Sequence, residues 1–139
     1  MIILDTDVLS ALMRSTPDEK VIAWLDGQPR TSVWITSVTV LEIRYGIQRL
    51  ELGTRQTLLT NAFDVLLADK IGRRVAPLDA AAAEYSAKLM ASREKKGRSV
   101  DLRDTMIAGI AIACNASLAT RNLSHFEDLA VPVVDPWTR

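Results

Sequence analysis

The stretch Ile2-Ile3-Leu4-Asp5-Thr6-Asp7-Val8-Leu9 decides how this chain is read. Three aliphatic residues run into two carboxylates one residue apart, and a helix-like pattern follows at once. The apolar run reads as a short buried strand, and the spacing after it as a helix. Three chemistries fit the two acids. Asp5 is a nucleophile toward phosphorus with Asp7 as its acid, or Asp5 is a metal ligand, or the pair merely ends a strand and caps a helix.

The same strand-then-helix pattern recurs along the chain. Met1–Leu4, Ser32–Ile35, Arg74–Leu78, Ser117–Thr120 and Val131–Val134 are expected strands. Helices are expected over Asp7–Met13, over Asp18–Leu25 and after Ser37, where Val38, Leu41, Tyr45 and Leu52 fall near one face and Gly46 is tolerated. Thr54–Ile71 follows the 3.6-residue period and ends at Gly72. Asp79 caps an alanine-rich helix reaching Lys96, and Asp101–Asn115 is apolar enough to be buried. Strands alternating with helices imply βαβ units and a mainly parallel sheet. Function in such sheets gathers at the carboxyl ends of the strands, where Asp5, Thr36 and Thr120 fall.

Composition narrows the class. The 139 residues fit one domain, 1–139, with 48% hydrophobic and 24% charged residues. Lys+Arg and Asp+Glu are both 17, so no strongly basic nucleic-acid binder is indicated. The single cysteine, Cys114, excludes an internal disulfide, fits a reducing compartment, and is expected to be an inert core thiol. No run reaches the ~18 apolar residues of a membrane span, and Asp5 interrupts the N-terminal run, which excludes a signal peptide. A soluble, cytoplasmic protein without membrane attachment is expected.

Four polar positions can point toward one cleft. They are Asp5, Glu42 in Ile35–Gly46 (ITSVTVLEIRYG), Asp104 in Val100–Ala111 (VDLRDTMIAGIA) and Asn122 in Leu118–Phe126 (LATRNLSHF). Like charges ~4 Å apart cost roughly 4 kcal/mol at an effective dielectric of 20. Protons or a cation must therefore neutralise the three acids. All-oxygen donors suit a hard ion such as Mg²⁺ or Mn²⁺, which can activate water and neutralise a phosphodiester. Structural roles compete for the same residues. Thr39–Glu42 matches a capping box, Asp101–Asp104 a variant of it, and Asp7 is an attractive N-cap.

Taken together, IILDTDVLSAL, TSVTVLEIRYGI, RDTMIAGIAIA and LATRNLSHFEDL, in this order across essentially the whole chain, resemble the PIN-domain ribonucleases. Within them the likeness is to VapC-type toxins of type II toxin–antitoxin systems, the FitB-like subgroup. The resemblance implies an α/β, PIN-like three-layer sandwich with a five-stranded parallel sheet. It also implies a homodimer and Mg²⁺- or Mn²⁺-dependent cleavage of RNA. A cognate antitoxin with a DNA-binding domain would occupy the active site, and a higher toxin–antitoxin assembly would extend that pairing. Asp5, Glu42 and Asp104 match the family's metal-binding acids, and Thr6 and Thr120 its supporting hydroxyls. Asn122 matches a fourth position that is often Asp; its neutral side chain would hold a second metal less well. Asp101 is an extra acid that either compensates or caps the helix, and Asp7 is a cap or an outer helper.

Two rivals remain at this stage. The opening also matches the first motif of haloacid-dehalogenase-like phosphatases, with Asp5 phosphorylated and Asp7 as acid. That pattern lacks a lysine motif here, since Lys88, Lys95 and Lys96 belong to a helix, and it gives Glu42 no task. A non-catalytic partner-binding module, its acids serving only as caps, is the other. Among the remaining residues, His125 is expected in a surface turn. Arg93, Lys95, Lys96 and Arg98 are expected to form a solvated helix end that in a nuclease would touch phosphates. Arg44 would touch substrate or antitoxin, Trp24, Trp34 and Trp137 are packing residues, and Tyr45 with Leu50–Leu52 would pack across a two-fold axis.

Overall fold

A computed structural model of the protein describes residues 1–138; Arg139, the end of the expected 1–139 domain, lies outside the described residues. Strands β1 (Ile2–Leu4), β2 (Val33–Thr36), β3 (Val75–Ala76), β4 (Ser117–Ala119) and β5 (Val133–Val134) form one parallel sheet in the order β3-β2-β1-β4-β5. Helices α1 (Thr6–Leu12), α2 (Glu19–Asp26), α3 (Ser37–Gln48), α4 (Thr54–Val65), α5 (Ala80–Lys95) and α6 (Leu102–Ala113) connect them. The parallel α/β sandwich expected from the sequence is therefore present, although β3 and β5 are shorter than Arg74–Leu78 and Val131–Val134.

Alternation along each strand sorts the core into two layers, because successive side chains point to opposite faces. Leu4, Val33, Ile35 and Ala119 face a cluster built with Val8, Leu9, Val21, Trp24, Ile43, Ile47 and Phe63, from α1 through α4. Ile3, Ala76 and Leu118 face the opposite cluster, filled by Ala82, Ile107, Ala108, Ile110 and Ala111 of α5 and α6. Trp137 packs on the first cluster and Trp34 on the second. Among the described residues, no helix is long and apolar enough to cross a membrane.

Several local expectations change. Asp5, not Asp7, is the N-cap of α1, because the helix starts at Thr6, one residue earlier than expected, and Asp5 still has extended backbone. Thr36 caps α3 by accepting from the Thr39 N–H at 3.1 Å, so Thr39 and Glu42 form no capping box. The helix before Gly72 loosens into a wide turn over Leu66–Lys70, and Gly72 and Arg73 then take left-handed backbone at φ 58° and 60°. Cys114 is exposed rather than buried, because it follows the last turn of α6. Leu41, Tyr45 and Leu52 are exposed, at 60%, 52% and 93%, so that face of the chain has no intramolecular cover.

Two glycines mark how differently helices pack. A Cβ on Gly109 would sit 2.0 Å from Ser86 Oγ and 2.7 Å from the Ala82 carbonyl, so α5 and α6 touch there through bare backbone. A Cβ on Gly46 would meet nothing within 4 Å. Gly109→Ala is expected to destabilise by about 1–3 kcal/mol or more through overpacking against fixed backbone. Gly46→Ala is expected to stabilise by about 0.5–1 kcal/mol through helix propensity. Urea unfolding of the two variants beside the parent checks both signs.

Candidate active site

The sheet changes direction at its centre: the chain runs outward from β1 to β3, then returns to lay β4 on the other side of β1. Clefts in open α/β sheets form at such a switch point, beyond the carboxyl ends of the strands. The register of Leu4 with Ala119 places Asp5 directly beside Thr120, and the Asp5 N–H donates to the Ala119 carbonyl at 2.8 Å.

Asp5 is 3% exposed and both its oxygens are held. Oδ1 accepts from the Thr6 N–H at 2.8 Å and Oδ2 from the Thr120 hydroxyl at 2.8 Å. Thr6 extends the network, its hydroxyl donating to Glu42 Oε1 at 2.8 Å and lying 2.8 Å from Thr39 Oγ1. Glu42 Oε2 stands 3.7 Å from the Arg103 guanidinium. Thus one residue, Thr6, touches two of the predicted acids.

Asp7 sits in the first turn of α1. Its Oδ2 accepts from the Arg121 N–H at 3.0 Å, and from the Thr120 hydroxyl and Asn122 Nδ2 at 3.4 Å each. Its Oδ1 is buried and has no hydrogen-bond partner among the described residues. Asp101 caps α6, its Oδ1 accepting from the Asp104 N–H at 3.0 Å. Asp104 Oδ2 lies 2.9 Å from His125 Nδ1.

The cost of gathering these charges shows in Asp5. Burial first, and then the nearby Asp7 charge, push its pKa from 3.8 to about 7, against the opposing hydrogen bonds from Thr120 and Thr6; the Asp104 charge adds to the rise. Asp7 is also raised, chiefly by burial. The donor set is all oxygen, of the kind that hard divalent ions take, and the orphaned Asp7 Oδ1 marks negative charge left without a partner. Among the described residues, however, no three acidic, histidine or cysteine side chains lie together as a ready-made metal group. Protein partners, Arg103 and His125, stand at two of the acids instead.

His125 lies in a short exposed turn, as expected, and from there meets Asp104. Several basic residues have partners within the chain. Of the basic run, Lys95 and Lys96 are exposed, but Arg93 is buried and Arg98 turns back to Asp128 at 3.1 Å. Arg44 pairs with Asp64 at 2.7 Å and lies over the Phe63 ring. The only sequence signal for His125 and Arg93 was their polarity; their partners lie far along the chain.

Residues 2–132 match the PIN domain family, and the chain belongs to it. It is 34% identical over 137 residues to the VapC ribonuclease Y4jK of Sinorhizobium fredii (strain NBRC 101917 / NGR234), covering 99% of this chain and 98% of that one. It is 31% identical over 137 residues to the toxin FitB of Neisseria gonorrhoeae (strain ATCC 700825 / FA 1090), covering 99% of each. The solved structure of FitAB bound to an IR36 DNA fragment superposes with a TM-score of 0.89 at 30% identity, over 100% of this chain and 97% of that chain. The family assignment removes the phosphatase alternative, and an Asp5 tied at both oxygens and almost wholly buried is poorly placed to attack phosphorus.

The raised Asp5 pKa has a consequence for stability. Between the ordinary carboxylate value of 3.8 and about 7, folded Asp5 keeps a proton that the unfolded chain has released. Its contribution is full below the unfolded value and is lost as pH rises through the folded one. In chelator, the melting temperature is expected to fall from about pH 5 to about pH 7.5. Asp5→Asn should flatten that slope and melt higher at the upper pH. A parent protein whose melting temperature is flat or rising across the interval contradicts the placement of this charge.

Proposed function

We propose that the protein is a divalent-metal-dependent endoribonuclease and the toxin of a type II toxin–antitoxin pair. One observation carries this: Thr6 binds Asp5 through its N–H and Glu42 through its hydroxyl, while the Asp104 charge reaches Asp5. These contacts support reading the three acids that match the family's metal ligands as one site at the switch point of a PIN domain. The continuous sheet supports treating the chain as one such domain.

Asp5, Glu42 and Asp104 would hold Mg²⁺ or Mn²⁺, with Asn122 as a neutral fourth group. When bound, the ion would neutralise the phosphodiester and favour attack by water rather than by a side chain. Thr6 and Thr120 fix the carboxylate oxygens of Asp5, and Thr6 also fixes Glu42. Asp101 and the N-terminal end of α6 orient Asp104. Asp7 keeps the turn after β4 against the start of α1 through Arg121 and Asn122.

The ribonuclease name of the Sinorhizobium relative and the toxin name of the Neisseria relative support RNA as substrate and toxicity as outcome. The DNA-bound FitAB structure supports a partner antitoxin with a DNA-binding domain and a higher assembly of the two. The uncovered Leu41, Tyr45 and Leu52 fit a homodimer. The proposed setting is the cytoplasm.

Partner-free protein incubated with total RNA and Mn²⁺ tests the proposal. Cleavage is expected, and chelator should abolish it. Glu42→Gln should keep the fold yet lose more than the ~10–100-fold that follows loss of a ligand's hydrogen-bond partner. Cleavage that ignores chelator, a Glu42→Gln protein as active as the parent, or no cleavage of RNA at all would contradict it.

A further inference from the structure

Arg93, in the last turn of α5, is only 3% exposed and uses four of its five N–H donors. Nε and Nη2 grip the two Asp128 oxygens at 3.0 Å each, so the charge is paired in a fork. Nη2 also donates to the His125 carbonyl at 2.6 Å, and Nη1 to Thr105 Oγ1 at 3.0 Å. Thr105 in turn donates to the Asp101 carbonyl at 2.7 Å.

Each of these contacts flanks Asp104. Thr105 follows it on α6 and Asp101 caps its N–H, while His125 meets its Oδ2 from the short helical turn Leu123–His125. No hydrogen bond to Asp104 Oδ1 is present among the described residues. Arg98 braces the same turn through the Ser124 carbonyl at 2.9 Å. A buried guanidinium thus joins the backbone that carries His125 to the helix turn that carries Asp104.

We propose that Arg93 is a positioning residue: by holding the His125 backbone against Thr105, it aims the His125 ring at one oxygen of Asp104 and leaves the other for a cation. The part concerning the cation rests on reading Asp104 as a metal ligand; the part concerning His125 stands without it. Lysine at 93 would keep the charge but lose the fork, since one ammonium cannot reproduce the planar spread of donors.

His125 is the only histidine, so its ring nitrogens give an unambiguous NMR signal. In metal-free protein, Arg93→Lys should move the His125 Nδ1 resonance in the same direction as Asp104→Asn. In the Asp104→Asn background, Arg93→Lys should cause no further shift, because the contact it sets is already gone. Mn²⁺ affinity should fall about tenfold in both Arg93→Lys and His125→Ala, and no further in the double variant. A purely structural Arg93 would lower the melting temperature while leaving the His125 signal and the Mn²⁺ affinity as in the parent, and that result overturns the proposal. If Arg93→Lys does not fold, Asp128→Asn, which removes only the charge of the fork, carries the same comparison. A parent protein that binds no Mn²⁺ refutes Asp104 as a ligand, and the His125 resonance then decides the role of Arg93 alone.

Discussion

The hydrogen bond from Thr120 to Asp5, 2.8 Å long, joins residues 115 positions apart and fixes where everything else at the site can stand. It exists because β4 pairs in parallel with β1, Leu4 opposite Ala119, so the first residue beyond each strand meets its neighbour. Thr120 and Asp5 are both buried, so each needs a partner, and each supplies the other's. From that contact the network spreads along the sheet edge, through Thr6 to Glu42 on one side and through Asp7 to Asn122 on the other. A slip of one residue in the β1–β4 register would turn Leu4 and Asp5 to the wrong faces and dismantle both the core and the site.

Charge is what this arrangement has to manage. Hydroxyls and backbone N–H groups hold Asp5, an arginine stands by Glu42, and a histidine holds one oxygen of Asp104. These partners let the metal-free fold tolerate its acids without forming a ready-made metal cage, while burial first and the Asp7 charge second push the Asp5 pKa up to about 7. The charge that costs the fold stability is the charge that would recruit an ion. Arg93 lies one contact further out, and Arg98 beside it shares Asp128, whose pKa the Arg93 hydrogen bond lowers.

Much of this was legible in the chain itself. Apolar runs ending in Asp5 and Thr36 marked strands with helices after them, and Asp5 fell just beyond a strand end while Glu42 and Asp104 fell in the opening turns of helices. Asp7 was misjudged as the cap because two acids one residue apart both suit an N-cap, and the choice turns on where the helix begins. Glu42 lost its capping role for a similar reason: Thr36 and Thr39 are both cap-forming types, and only the end of β2 separates them. His125 and Arg93 were illegible because their partners lie 12 to 35 residues away, a separation that periodicity does not encode. Cys114 looked buried because its neighbours are apolar, but α6 ends just before it.

The acids at the switch point are proposed to form an incomplete cation site. The most direct measurement is calorimetric unfolding of partner-free protein at neutral pH in chelator and in saturating Mn²⁺. At ~100 times the dissociation constant the ion should add roughly 2.7 kcal/mol of stability. Asp104→Asn should respond much less. Equal unfolding with and without Mn²⁺, or an unchanged response in Asp104→Asn, would mean that these carboxylates do not hold an ion and that their proximity serves the fold alone.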